Sequence, residues 1–146
     1  MIASIGNANG AEDIKSSRQL ADFGPLIEIE ITQDLPGLLS NACATKVQAL
    51  IDTGADGCCI DEQLALELGL LSGKQYLMIG ANGEFTTTEY LARIFIPALN
   101  IEIEDYFAGI KISDDISGYR FIIGRDFLKN GMLIYRGLHG QADLII

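Results

Sequence analysis

Apolar and polar residues alternate strictly in Leu26-Ile27-Glu28-Ile29-Glu30-Ile31-Thr32, the pattern of a strand with one buried face. The alternation returns in Ile101-Glu102-Ile103-Glu104, inside a long strand region over residues 100–112. Between these stretches the pattern predicts strands over 42–51, 58–60, 75–79 and 85–96, the last carrying Thr86-Thr87-Thr88 and ended by Pro97. Three more follow at 119–123, 132–135 and 142–146, the final two joined by a Gly137–Gly140 turn. Helical signals are few. Asp61 suits an N-cap, Glu62–Leu68 fits one or two turns, and Gly69 stops them. Gly124–Gly131 reads as a second short helix. The chain is therefore mainly β with two short helices.

Loop chemistry separates these elements. Pro36-Gly37 marks a loop over 33–41, Gly80–Glu84 is a glycine-bounded hairpin turn, and 113–118 is polar. Met1–Phe23 carries only scattered apolar residues, with at most a weak helix near Ala11–Leu20, and Gly24-Pro25 closes it. The expected organisation is a flexible segment over 1–25 followed by one folded domain over 26–146.

Composition narrows the class of partner. A chain of 146 residues that is 49% hydrophobic builds a real core. A net charge of -10 argues against nucleic acid or an anionic membrane as the main partner. No apolar run approaches the ~18 residues of a membrane span. The start lacks the basic and apolar regions of a signal peptide. Three cysteines, Cys43, Cys58 and Cys59, make a poor disulfide framework, so reduced thiols and a cytoplasmic location are expected.

The stretch with chemistry is Ala49-Leu50-Ile51-Asp52-Thr53-Gly54-Ala55-Asp56. Three apolar residues end a buried strand, and an acid follows as the backbone turns. A carboxylate in such a place is costly unless it has a task. The Asp-Thr-Gly-Ala run resembles the signature of the aspartic peptidases, and in particular of the retropepsins. Two further features fit that resemblance: Phe121-Ile122-Ile123-Gly124-Arg125-Asp126 is similar to the family's apolar-apolar-Gly-Arg-Asp element, and the Gly80–Glu84 turn stands where the family places its flap.

The resemblance implies a closed β-barrel with a flap hairpin, and an aspartic endopeptidase that hydrolyses polypeptide without a cofactor or metal. One chain holds a single Asp-Thr-Gly, so it implies a homodimer with two Asp52 carboxylates. Asp52, Thr53 and Gly54 would be the catalytic turn, with the Thr53 hydroxyl crossing the dimer axis. Ala55, Asp56, Gly80, Ala81, Asn82 and Gly83 would meet the substrate. Gly124, Arg125 and Asp126 would support the turn, Arg125 by pairing with Asp56. Ile60 and Ile79 are expected to line an apolar pocket, and the apolar end Asp143–Ile146 to pair at the dimer interface. Residues 1–25 have two readings, a removable segment or an inert tail. The flap has one Asn-Gly where viral relatives have a run of glycines, and the helix after the active turn is closer to cellular relatives.

Local alternatives remain for each motif: a turn hydrogen bond for Thr53, unrelated surface charges for Asp56 and Arg125, and an ordinary hairpin turn for 80–84. An EF-hand reading of Asp52–Gly57 fails at Gly54 and Gln63. His139, the one histidine, lacks the partners for a zinc site or a serine triad. The rival to an enzyme is a dimeric peptide-binding or regulatory module on the same fold.

Overall fold

The alternating stretch 26–32 folds as strand β2 (Leu26–Thr32), with Ile27, Ile29 and Ile31 turned into the core and 0–5% exposed. The computed structural model describes residues 1–6, 14–33, 44–80, 83–112 and 118–146. Within them β2 pairs antiparallel with β3 (Thr45–Ile51). Strand β4 (Cys59–Asp61) leads into helix α2 (Glu62–Glu67), and β5 (Leu71–Gly80) with β6 (Gly83–Ile96) forms a long hairpin. Then come β7 (Ile101–Ile110), β8 (Phe121–Ile123), helix α3 (Arg125–Leu128), β9 (Met132–Arg136) and β10 (Gln141–Ile145).

Six of these strands close a barrel in the order β2-β3-β8-β4-β7-β6, because β6 also pairs with β2. Its interior is apolar: Ala49, Ile51, Ile60, Tyr90, Ala92, Ile94, Phe107, Phe121 and Ile123 join the isoleucines of β2 in one cluster. Phe107 and Phe121 meet edge to face, with ring centroids 5.1 Å apart. Each buried side chain of this size contributes roughly 1.5–3 kcal/mol, enough to dictate register on every strand.

One feature of the topology positions the site. Strand β8, buried throughout, lies between β3 and β4. It runs parallel to β3, with Ile51 opposite Ile123, and antiparallel to β4, with Cys59 opposite Ile122. The strand that enters the 52–58 turn and the strand that leaves it therefore flank the strand that delivers α3. Asp52 and Gly124 emerge side by side.

The two expected short helices are α2 and α3. Asp61 caps α2 by accepting the Leu64 N–H at 3.3 Å, and Gly69 ends it at φ 63°. Asp61 also takes the Arg120 guanidinium at 2.6 Å and the Ile112 N–H at 3.2 Å, which satisfies a carboxylate only 2% exposed.

The N-terminal expectation needs correction. Residues 1–25 do not form a wholly flexible lead-in: Ile2–Gly6 is strand β1, and Ile14–Phe23 is a third helix, α1. Strand β1 pairs antiparallel with β10, giving a second sheet in the order β1-β10-β9. Side chains fasten it. Ser4 Oγ donates to Asp143 at 2.8 Å, Arg136 pairs with the same carboxylate, and Ser17 Oγ donates to the Gly137 carbonyl at 2.7 Å. Gly140, at φ 61°, lets the α1 backbone at Ser16 and Ser17 approach where a Cβ would overlap it. The expectation for Asp143–Ile146 is likewise corrected: β10 has both edges occupied within its own chain, which removes the exposed-edge hazard without a partner.

Candidate active site

The site is built where β3 ends. Ile51 is 3% exposed, and the next residue, Asp52, is half-buried at the mouth of the turn. Its N–H donates to Ile123 O at 3.0 Å, which ties the start of the turn to β8. Its Oδ1 accepts the Gly54 N–H at 2.7 Å, and its carbonyl accepts the Ala55 N–H at 3.3 Å. The acid thus folds the chain back on itself as an Asx turn. Thr53 and Gly54 are exposed at the tip.

The dipeptide Arg125-Asp126 holds this turn from behind. Arg125 Nη1 donates to the carbonyls of Thr53 at 2.9 Å and Gly54 at 3.0 Å, and Nη2 pairs with Asp56. The free N–H groups at the start of α3 find acceptors in the same loop: Arg125 N–H on Ala55 O at 3.0 Å, Asp126 N–H on Asp56 O at 3.1 Å. Gly124 is buried against the Gly57 backbone, and a Cβ there would overlap the Gly57 carbonyl. The Asp126 carboxylate reaches past Gly57 to Cys58, whose N–H it accepts at 3.0 Å and whose Sγ lies 3.1 Å away. Burial and Asp126 push the Cys58 thiol up to about 12, and burial with the charges of Asp126 and Asp52 pushes Cys59 to about 11.

The hairpin β5–β6 supplies the opposite wall. Its pairing runs from Leu71↔Leu91 to Gly80↔Gly83, with Gly83 at φ 103°. Ala81 and Asn82 lie outside the described residues. Met78 packs against Cys59, Ala108 and Ile122, and Ala55, Ile110, Ile112 and Tyr119 adjoin the same apolar cluster. Thr87 anchors the hairpin root by donating to the Gly109 carbonyl. A bulge interrupts β5 between Ser72 and Gln75, where Glu89 Oε1 accepts the Lys74 N–H at 3.0 Å.

The pocket expected from Ile60 and Ile79 is corrected. Ile60 is fully buried in the barrel core, and Ile79 is 78% exposed. Side chains alternate along a strand, so Ile79 points away from the face that carries Met78. The apolar side chains beside the turn are instead a packed cluster that joins Met78 of the hairpin to Ile122, Ile110 and Tyr119. Sequence reasoning missed Met78 and the role of Asp126 on Cys58. The first was available from strand parity once the barrel-facing side of β5 is known. The second needs the fold. Among the described residues, no group of three or more His, Cys, Asp or Glu side chains could hold a metal ion.

This arrangement offers one carboxylate in a fixed turn beside an apolar cluster. A family model described as aspartyl protease matches residues 38–127. The chain belongs to the aspartyl protease family. The match contains the Asp52 turn, the hairpin and Arg125, and it bears out the resemblance to the aspartic peptidases. The mainly β closed barrel agrees with it. Among solved structures, the EIAV protease complexed with the inhibitor HBY-793 is similar, at 22% identity and a TM-score of 0.46, with 73% of this chain and 86% of that one covered. No curated protein matches the chain. Among the described residues no helix of this aspartyl protease is long and apolar enough to cross a membrane.

Proposed function

We propose that this aspartyl protease is a cytoplasmic, retropepsin-like endopeptidase in which two copies of the chain each contribute one Asp52 to a shared site. Two carboxylates a few ångströms apart cannot both ionise, so the pair holds one proton. The ionised member takes a proton from water as it attacks the scissile carbonyl, and the protonated member donates to the carbonyl oxygen. The proton belongs to the pair and not to either residue.

The observation that carries this reading is the half-buried Asp52 carboxylate, fixed by the Gly54 N–H at 2.7 Å in a turn clamped by Arg125 and Asp126. The other roles follow from position. The Thr53 hydroxyl, exposed at the tip, reaches the partner turn. The Gly54 carbonyl accepts from Arg125 and keeps a second lone pair for a substrate N–H. The Asp56 side chain is 92% exposed, so its second oxygen is open to substrate backbone. Gly80, Ala81, Asn82 and Gly83 close over an extended polypeptide, whose side chains meet Met78 at the edge of the apolar cluster. That cluster predicts apolar residues beside the cleaved bond.

The test is cleavage of a mixed peptide library by the wild-type protein and by Asp52→Asn, read by mass spectrometry at about pH 4, 6 and 7.5, a range that covers the upper titration step of a shared-proton dyad. Cleavage by the wild type alone supports the peptidase. Peptide binding by both proteins without cleavage by either supports the non-catalytic module instead.

A further inference from the structure

The grip on the active turn has two hands, and only one belongs to Arg125. Arg125 holds the first half, through the carbonyls of Thr53 and Gly54. The second half, Gly57-Cys58, has Cys59 Sγ 3.6 Å from the Gly57 carbonyl, and at Cys58 it is held by Asp126: Oδ2 accepts the Cys58 N–H at 3.0 Å, and Oδ1 lies 3.1 Å from Cys58 Sγ. Oδ1 also accepts the Phe127 N–H of its own helix at 2.7 Å. The carboxylate therefore bridges α3 and the far limb of the turn.

An ionised carboxylate only accepts, so a contact of this length requires Sγ to donate. The thiol is half-buried and stays protonated far above neutrality, because burial and Asp126 oppose its ionisation and outweigh the Gly124 backbone hydrogen bond that favours it. It is accordingly a poor nucleophile and a dependable donor, the reverse of a reactive cysteine.

We propose that Cys58 is a positioning residue: its S–H and N–H together dock the Asp126 carboxylate, and that dock sets where the far limb of the active turn, and through it Asp52, comes to rest. The proposal rests on the peptidase reading only for its effect on rate. Removal of the donor has a specific consequence. In Cys58→Val a methyl group occupies the place of Sγ, too close to Oδ1 and with no proton to offer. Asp126 swings away, the Cys58 N–H loses its acceptor, and the limb relaxes. In Cys58→Ser a hydroxyl replaces the thiol and the donor is kept.

The experiment compares wild type, Cys58→Ser and Cys58→Val by two independent readouts. The first is amide hydrogen exchange of the 52–58 segment, followed by mass spectrometry with global melting measured alongside. The second is steady-state cleavage of a peptide found with the wild type. Cys58→Val should exchange the segment about tenfold faster and lose about tenfold in kcat with KM within about twofold, the pattern of a displaced catalytic group. Cys58→Ser should lie near wild type in both. Equal loss in the Ser and Val variants would mean that size and not the donor matters, and would overturn the proposal. So would Val behaving like wild type. If the wild type cleaves nothing while exchange still separates Val from Ser, the peptidase reading fails and the positioning role stands.

Discussion

The Asp52 turn, taken as a floor, and the β5–β6 hairpin above it, taken as a roof, are held in opposite ways. The floor, residues 52–58, is fixed by α3, by β8 and by its own Asx turn, with backbone groups of Asp52, Thr53, Gly54, Ala55, Asp56 and Cys58 all engaged. The roof, the outer part of β5–β6, touches the barrel through Met78 and Thr87 but is held mainly by its own hairpin pairing. From Gln75 to Gly80 strand β5 pairs only with β6, and Leu77 and Ile79 face water. A bulge capped by Glu89 marks its root. A catalytic group needs a fixed position, and a cover must move to admit substrate. The contrast predicts a local stability gradient, with the floor opening only near global unfolding and the roof opening far below it.

The largest effect should come from Gly124→Val. Its side chain overlaps the Gly57 backbone, and neither segment can retreat without breaking the clamp. The expected loss is about 3 kcal/mol or more in urea unfolding, together with all activity. A smaller loss would mean that the floor is softer than its contacts imply.

Arg125→Met removes donors from two turn carbonyls and should cost about 2 kcal/mol. Asp56→Asn breaks only the ion pair, whose carboxylate is 92% exposed, and should cost under about 1 kcal/mol. Equal losses in urea unfolding would put the strength of the clamp in the charge pair and not in the carbonyl contacts.

For the roof, Glu89→Ala frees the Lys74 N–H at an exposed bulge. Stability should change by less than about 0.5 kcal/mol, while hydrogen exchange over 74–88 accelerates and KM rises. Unchanged exchange would remove the bulge as the root of flap motion.

The terminal sheet supplies a pH test set apart from both. Ser4 and Arg136 hold Asp143 below the usual carboxylate range. A depressed folded pKa gives stability that is present above the unfolded value, near 4, and lost as pH falls through the folded one. Wild type should therefore exceed Asp143→Asn in melting temperature at neutral pH. The gap should narrow as pH drops below about 4. A constant gap would locate the effect in packing.

Much of the floor was legible from residues alone. An apolar strand into Asp-Thr-Gly and a second apolar run into Gly-Arg-Asp are local patterns, and the parallel pairing of β3 with β8 makes them one site. Strand β1 was not legible. Ile2–Gly6 is only five residues long beside a polar stretch, and its strand state comes from a β10 edge at the other end of the chain. Ile79 misled for a related reason: an apolar β-former on the hairpin reads as pocket-lining until the parity of Met78 is set by what the strand faces. Long-range pairing, invisible in a local pattern, decided both.

The central claim is that one site draws an Asp52 from each of two chains. Its most direct test mixes wild-type and Asp52→Asn chains, denatured and refolded together, and follows peptide cleavage against the wild-type fraction. Random pairing with a shared dyad predicts activity that falls as the square of that fraction, to about one quarter at equal amounts. A linear fall, to about one half, would mean that each chain works alone and would contradict the account.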